Sequence, residues 1–171
     1  MPRYVALLRG VSPMNCKMPE LKAALESAGF SNVKTLLSSG NVAFDTRKAP
    51  EASIERKCEA AMEQALGRSF MTIVRSQQHL QALLANDPYP ALGASGLPKR
   101  VVSFMRSTPQ PKAPLPQSQD GACLLGIVGH DIFSEYAPHA DGPAFMRLIE
   151  KTFGKEITTR TWDTVRKCSA A

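Results

Sequence analysis

The sequence predicts an α+β fold built from two ferredoxin-like (βαββαβ) halves in tandem, each an antiparallel sheet with its helices on one face. Up to Arg75 the elements follow the order strand, helix, strand, strand, helix, strand, which defines the ferredoxin-like unit. After residue 100 the order strand, connection, strand, strand, helix, strand follows. Short motifs of the two halves also align, since residues 5–9 (VALLR) match residues 102–106 (VSFMR). An internal duplication is therefore our hypothesis.

The elements of the first half follow from apolar periodicity and turn residues. The unbroken apolar run at residues 4–8 is typical of a buried central strand. Pro19 suits the first turn of a helix that Gly29 ends. Gly40-Asn41 indicates a tight hairpin. The other predicted elements are strands at 33–37, 42–44 and 71–74, and a helix that begins at Pro50 and ends before Gly67, with Ile54, Cys58, Ala61 and Ala65 on its buried face.

The middle of the chain is predicted to connect the two halves. Ser76 caps a short helix, which stops before Asp87-Pro88, and residues 88–98 are rich in Pro and Gly, as linkers often are. The predicted divisions are a first half at 1–75, a connecting helix and linker at 76–99, and a second half at 100–171.

The second half is predicted to contain a long surface loop and a second hairpin. Four prolines make residues 107–119 a Pro-rich loop, in which Pro111 and Pro114 have the PxxP spacing of an interaction ligand. Gly129-His130 marks the hairpin, and Asp141 is the predicted cap of the following helix. Further motif matches pair Gly40 and Phe44 with Gly129 and Phe133, and Arg75 with Arg160. The remaining predicted elements are strands at 101–105, 123–128, 131–135 and 157–160, and a C-terminal helix from Thr161.

Composition narrows the classes of function only slightly. The chain has 21 Lys and Arg against 15 Asp and Glu, a formal net charge of +6, which favours polyanionic partners without specifying one. The four cysteines form no CxxC pattern, so we expect free, mostly buried thiols and a cytoplasmic location. No leader peptide, membrane-spanning run, metal site or cofactor motif is expected from the sequence.

One edge of the predicted first sheet gathers polar groups. Because right-handed crossovers make the first two strands parallel, the end of the first strand and the hairpin after the second lie at the same edge. A helix N-terminus, an Arg and small hydroxyl side chains suit an anion. The predicted ligand-binding residues are Arg9, Gly10, Ser38, Ser39, Gly40 and Asn41. The alternatives are hairpin chemistry alone at Gly40-Asn41 and a structural ion pair at Arg9.

Five further residues are secondary candidates. Arg106 and His130 are expected at the corresponding edge of the second half, whereas Arg75 and Arg160 are expected at the opposite edges. Trp162, the only tryptophan, is expected to anchor the last helix to the core, with ligand stacking as the alternative.

Three motifs together resemble a known family. Residues 4–10 (YVALLRG), 38–44 (SSGNVAF) and 158–165 (TTRTWDTV) are similar to the family catalogued as domain of unknown function 1697. The resemblance implies the tandem ferredoxin-like architecture and no established activity.

Three functions are compatible with the sequence. The first is a small protein that binds a phosphate- or carboxylate-bearing ligand at the Arg9 edge, and the second is a protein-interaction or oligomerisation module. The third is a nucleic-acid-binding protein or an uncharacterised enzyme, although no catalytic motif is recognisable.

Overall fold

The computed structural model describes residues 1–138 and 144–171, and this part of the chain forms five α-helices and nine β-strands in two antiparallel sheets. The α+β class is therefore confirmed. The chain divides into two compact units, of which the first comprises Met1–Leu84 with Arg166–Ala171 and the second Ala85–Val165. The predicted N-terminal cap Asp141 lies outside the described residues.

The first unit contains a four-stranded sheet. Its strands have the order β2-β3-β1-β4, and β3 is antiparallel to both β1 and β2. The first two strands consequently run in the same direction, as the crossover rule predicted. The elements are β1 (Arg3–Leu8), α1 (Met18–Ser27), β2 (Ser31–Leu36), β3 (Asn41–Asp45), α2 (Glu51–Leu66), β4 (Thr72–Ser76) and α3 (Gln77–Asn86).

The core of the first unit lies between one face of this sheet and the helices α1 and α2. Tyr4, Ala6 and Leu8 alternate along β1 and form one buried cluster with Leu21 of α1 and Met62 of α2. Each large apolar side chain buried here contributes about 1.5–3 kcal/mol. Ala65, which was predicted to lie on the buried face of α2, is exposed, and Met62 is buried on that helix instead.

The outer edge of β4 is covered by carboxylates. Three glutamates one turn apart on α2 accept hydrogen bonds from alternate backbone N–H groups of β4. An edge strand with its N–H groups paired in this way offers no template for another strand. The three pairs are Glu51 Oε2 with Ser76 N–H (3.1 Å), Glu55 Oε2 with Val74 N–H (2.8 Å), and Glu59 Oε2 with Thr72 N–H (3.1 Å).

The second unit contains a five-stranded sheet of order β6-β7-β8-β5-β9. The predicted Pro-rich loop is corrected at its end, because residues 117–119 form a short edge strand. A turn at Asp120 and Gly121, with φ of 50° and 82°, pairs that strand with the next. The elements are β5 (Lys99–Met105), β6 (Gln117–Gln119), β7 (Ala122–Val128), β8 (Asp131–Tyr136), α4 (Ala144–Phe153), β9 (Ile157–Thr161) and the start of α5 (Trp162–Ser169), whose residues from Arg166 belong to the first unit.

The segment predicted as a linker is part of the second unit. The ring of Tyr89 is fully buried, and its hydroxyl donates to the carbonyl of Val101 at 2.8 Å. Leu92 lies so close to Gly126 that a Cβ there would stand 2.6 Å from Leu92 Cδ2. The hydroxyl and the N–H of Ser95 both donate to the Glu135 carboxylate. Pro and Gly content therefore misled the prediction, since this loop packs on the sheet.

The predicted boundary at the C-terminus also changes. Residues 166–171 belong to the first unit, where Gln81 Nε2 donates to the carbonyl of Ser169 at 3.1 Å. The carbonyl of Ala171 accepts from Arg3 Nε and Gln77 Nε2 at 2.8 and 2.7 Å. Side chains remote in sequence hold this segment, so no local pattern predicts it.

The strand registers test the proposed matches between the halves. Arg75 pairs with Val5 and Arg160 pairs with Val102, as the alignment of residues 5–9 with 102–106 requires. The strands β3 and β8 are offset by one residue from the proposed match. Val5 pairs with Ala43, whereas Val102, which aligns with Val5, pairs with Phe133. The predicted match of Phe44 with Phe133 is therefore wrong: the Phe44 ring faces α1 and α2, whereas Phe133 lies on the opposite face of its sheet from α4.

The cysteines are present as thiols rather than as disulfides. All four cysteines are free, and Cys16, Cys58 and Cys168 are buried, as expected for core thiols. Burial raises the pKa of the Cys58 thiol to about 12.

Among the helices of residues 1–138 and 144–171, none has the length and apolarity needed to cross a membrane.

Candidate functional site

The predicted edge of the first sheet does assemble. The N–H of Leu8 donates to the carbonyl of Gly40 at 2.9 Å, which joins the end of β1 to the turn between β2 and β3. Gly40 has φ +87°, and a Cβ there would lie 3.0 Å from the Cβ atoms of Leu8 and Val11. Only glycine meets both constraints, so Gly40 allows the two segments to touch.

Asn41 shapes the turn beside this contact. Its side chain is fully buried, and Nδ2 donates to the carbonyl of Leu36 at 3.1 Å and to the hydroxyl of Ser39 at 3.0 Å. Both amide hydrogens are thus used within the turn. Leu37, in the same turn, is half-exposed and has φ +58°, a left-handed conformation that costs a bulky residue about 1–2 kcal/mol.

The loop after β1 is held by a residue that the sequence prediction missed. Asn15 Oδ1 accepts the N–H of Ser12 at 2.9 Å, and Asn15 Nδ2 donates to the carbonyl of Gly10 at 2.8 Å. The Ser12 hydroxyl accepts the N–H of Met14 at 3.3 Å. Asn and Ser side chains commonly bond to backbone two or three residues away, and the Ser12-to-Asn15 spacing signals such a loop.

Several donors at this edge remain available. Within the described part of the chain, the N–H groups of Gly10, Val11 and Ser38 and the Ser38 hydroxyl make no hydrogen bond. Gly10 and Ser38 are exposed, and Gly10 has φ +82°. Arg9 is half-buried, with its N–H bonded to the carbonyl of Met71 at 2.9 Å. The edge therefore presents unused backbone donors and a hydroxyl, and the Arg9 side chain lies beside them.

The corresponding edge of the second unit brings Arg106 and His130 together. The N–H of Met105 donates to the carbonyl of His130 at 3.1 Å, and both Arg106 and His130 are exposed. His130 Nε2 lies 3.5 Å from the hydroxyl of Thr108. By the observed register, His130 rather than Gly129 corresponds to Gly40.

The other two arginines are buried within the sheets. Arg75 Nη1 donates to the carbonyl of Val74 at 3.0 Å. Arg160 Nη1 donates to the hydroxyl of Thr158 at 2.7 Å and to the carbonyl of Thr159 at 2.9 Å. Each lies on the last strand of its sheet, Arg75 opposite Val5 of β1 and Arg160 opposite Val102 of β5.

Trp162 has a packing role. Its ring meets Tyr89 edge to face, with 5.1 Å between centroids, and Tyr89 meets Phe133 in the same way at 5.6 Å. The contacts among these three aromatic rings thus hold the loop at residues 88–98 and the start of α5 in place.

The chain matches a family of proteins whose function is unknown. Residues 1–121 match the family described as "Protein of unknown function (DUF1697)", and the chain belongs to this family. Two of the three resembling motifs lie in the matched range, whereas residues 158–165 lie beyond it. No curated protein matches the chain.

A solved structure shares the fold. The structure of the conserved bacterial protein SP0830 from Streptococcus pneumoniae is similar with a TM-score of 0.70 and 18% sequence identity, covering 99% of this chain and 97% of that one. At this identity the likeness concerns the fold alone.

Proposed function

We propose that this protein binds a small ligand with a phosphate or carboxylate group at the edge formed by Arg9, Gly10, Ser38 and Ser39. The observation that carries the proposal is the Leu8–Gly40 hydrogen bond of 2.9 Å, which holds two donor-rich turns side by side. The N–H groups of Gly10, Val11 and Ser38 supply donors that no other described group uses.

The chemistry of these groups favours an anion. Backbone N–H groups lose little conformational entropy on binding because the fold already orders them. Gly10 carries no side chain, so a ligand oxygen can approach the backbone closely. The guanidinium of Arg9 adds charge-assisted hydrogen bonds, which are roughly twice as strong as neutral ones. In this proposal Gly40 and Asn41 shape the turn, and Arg9 and Ser38 contact the ligand.

The proposed scaffold is a tandem of two ferredoxin-like units. The sheet order β2-β3-β1-β4, with helices after the first and third strands, supports this plan for the first unit. The second unit keeps the equivalent order β7-β8-β5-β9, adds β6 at one edge and has no helix between β5 and β7.

Isothermal titration calorimetry with phosphate, citrate and a nucleoside monophosphate, at constant ionic strength, tests the proposed ligand class. We expect Arg9→Gln and Ser38→Ala to weaken binding about fivefold or more, as loss of a charge-assisted hydrogen bond does. Arg47→Gln is the matched control, because Arg47 is exposed and follows the other end of β3. Thermal unfolding verifies that each variant is folded.

Two outcomes would overturn the proposal. One is the absence of saturable binding by every anion, and the other is an equal loss of affinity in Arg9→Gln and Arg47→Gln. Fluorescence anisotropy with labelled single-stranded RNA distinguishes a polyanion partner, since such binding falls steeply with salt.

A further inference from the structure

A groove separate from the Arg9 edge lies in the first unit, between α1 and the end of α2. Its volume is about 510 Å³, and it is open to solvent. Beyond Glu20, α1 lines the groove with the short side chains of Ala23, Ala24 and Ser27, which leave room for the concavity. The residues that matter for its chemistry are Asn15, Cys16, Glu20, Ala24, Leu66 and Arg68.

Two opposite charges face this groove without pairing. Glu20 and Arg68 are both exposed, and neither makes an ion pair or a hydrogen bond with any described residue. Their nitrogen and oxygen atoms are therefore more than 4.0 Å apart. The Arg68 guanidinium lies over the ring of Phe70, 4.7 Å from its centroid, which restrains it at the mouth of the groove.

The thiol of Cys16 is buried and lines the same groove. Burial raises its pKa, the Glu20 carboxylate raises it further, and the Arg68 guanidinium lowers it. Glu20, Cys16 and Arg68 all line the same groove. The thiol stays protonated and neutral near pH 7, so it adds no third charge.

We propose that this groove binds a free amino acid with an apolar side chain. The ligand carboxylate pairs with Arg68, the ammonium pairs with Glu20, and the side chain lies on the apolar wall of Ala24 and Leu66. A guanidinium binds a carboxylate through two parallel hydrogen bonds, and a carboxylate suits an ammonium. A zwitterion satisfies both groups at once, whereas a ligand with one charge leaves the other group without a partner.

Heteronuclear NMR titration of the wild-type protein at constant ionic strength tests the proposal with three probes. Norleucine carries both charges, hexanoate lacks the ammonium, and pentylamine lacks the carboxylate. We expect saturable shifts at the amides of Cys16, Glu20 and Leu66 with norleucine. Each one-charge probe should bind about threefold to fivefold more weakly, which is the upper part of the range for an exposed ion pair.

Two variants assign the charges. Arg68→Gln should weaken norleucine and hexanoate but not pentylamine, and Glu20→Gln should weaken norleucine and pentylamine but not hexanoate. Arg56→Gln and Glu26→Gln are controls, since both residues are exposed on the same two helices. Equal affinity for all three probes, or no saturable shift at the groove, overturns the proposal. The comparison of the three probes on the wild-type protein tests the proposal even if a variant does not fold.

Discussion

The carboxylate of Glu55 accepts a hydrogen bond of 2.8 Å from the backbone N–H of Val74, and both residues are buried. Glutamates one turn before and one turn after it on α2 make the same kind of bond to β4. The spacings agree, because four helical residues rise about 6 Å and two strand residues about 6.6 Å. A helix thus completes the hydrogen bonding of an edge strand with side chains.

We predict that Glu55→Ala lowers the free energy of unfolding by about 1–3 kcal/mol. The substitution leaves the buried N–H of Val74 without an acceptor, and that N–H keeps its full desolvation cost. Glu55→Gln retains an amide oxygen and should lose less. Urea denaturation measures both, with the exposed Glu63→Ala on the same helix as the control. An equal effect of Glu55→Ala and Glu63→Ala would show that the bond contributes nothing.

Removing all three glutamates should expose the β4 edge. The triple substitution of Glu51, Glu55 and Glu59 to Ala leaves alternate N–H groups of β4 open to another strand, so we expect concentration-dependent association beyond that of the wild type. Sedimentation velocity over a range of concentrations measures it. The triple Gln variant keeps the acceptors and should sediment like the wild type. Identical sedimentation of the triple Ala variant would contradict the protective role.

We predict that Leu37→Gly stabilises the protein by about 0.5–1 kcal/mol. Glycine removes the cost of the positive φ, and only part of that gain is offset by its greater freedom in the unfolded chain. Leu37 is 50% exposed, so little packing is lost. Thermal unfolding should rank Leu37→Gly above Leu37→Ala, which keeps the strain. The reverse order would mean that packing of Leu37 outweighs its backbone conformation.

The contact of Glu135 with the loop at residues 88–98 predicts a pH dependence. Burial opposes ionisation of Glu135, but hydrogen bonds from the Ser95 side chain and from the N–H groups of Ser95, Gly96 and Leu97 outweigh it and lower the pKa. A depressed carboxyl pKa contributes stability above the unfolded value of about 4.3 and loses it as the pH falls through the folded value.

Ser95→Ala should therefore destabilise the protein by about 1–2 kcal/mol at pH 7, and this deficit should shrink as the pH falls from about 5 to about 3. Urea denaturation at several pH values measures the difference from the wild type. Ser107→Ala, at an exposed position in the same unit, should show no such trend. A deficit that is constant with pH would separate the Ser95 hydroxyl from the ionisation of Glu135.

The sequence was sufficient where apolar period and turn residues act locally. The helix ended by Gly67 and a hairpin near Gly40 were predicted in this way, although the turn spans residues 37–40 and Asn41 begins β3. The strand order then placed Arg9 beside Gly40. The Glu51, Glu55 and Glu59 series has the same spacing as a buried face, but carboxylates at that spacing are also typical of a solvated surface. Only the partner strand distinguishes the two.

The features that the sequence analysis predicted wrongly or missed depend mostly on contacts between residues that are remote in sequence. Tyr89 and Ser95 lie in a segment with the composition of a linker, and their partners Phe133 and Glu135 lie some forty residues away. The match of Phe44 with Phe133 failed because a shift of one residue along a strand reverses the face of the sheet. Asn15 was missed as a loop anchor, although its spacing from Ser12 signals a loop of this kind.

The measurement that tests the proposed anion site most directly is an amide NMR titration with sodium phosphate, compared with sodium chloride at equal ionic strength. Phosphate should produce saturable shifts concentrated at the amides of Gly10, Val11 and Ser38, because hydrogen bonding to an anion changes the shift of the donating N–H. Shifts that match those of chloride, or that lie away from these three amides, would contradict a site at the Arg9 edge.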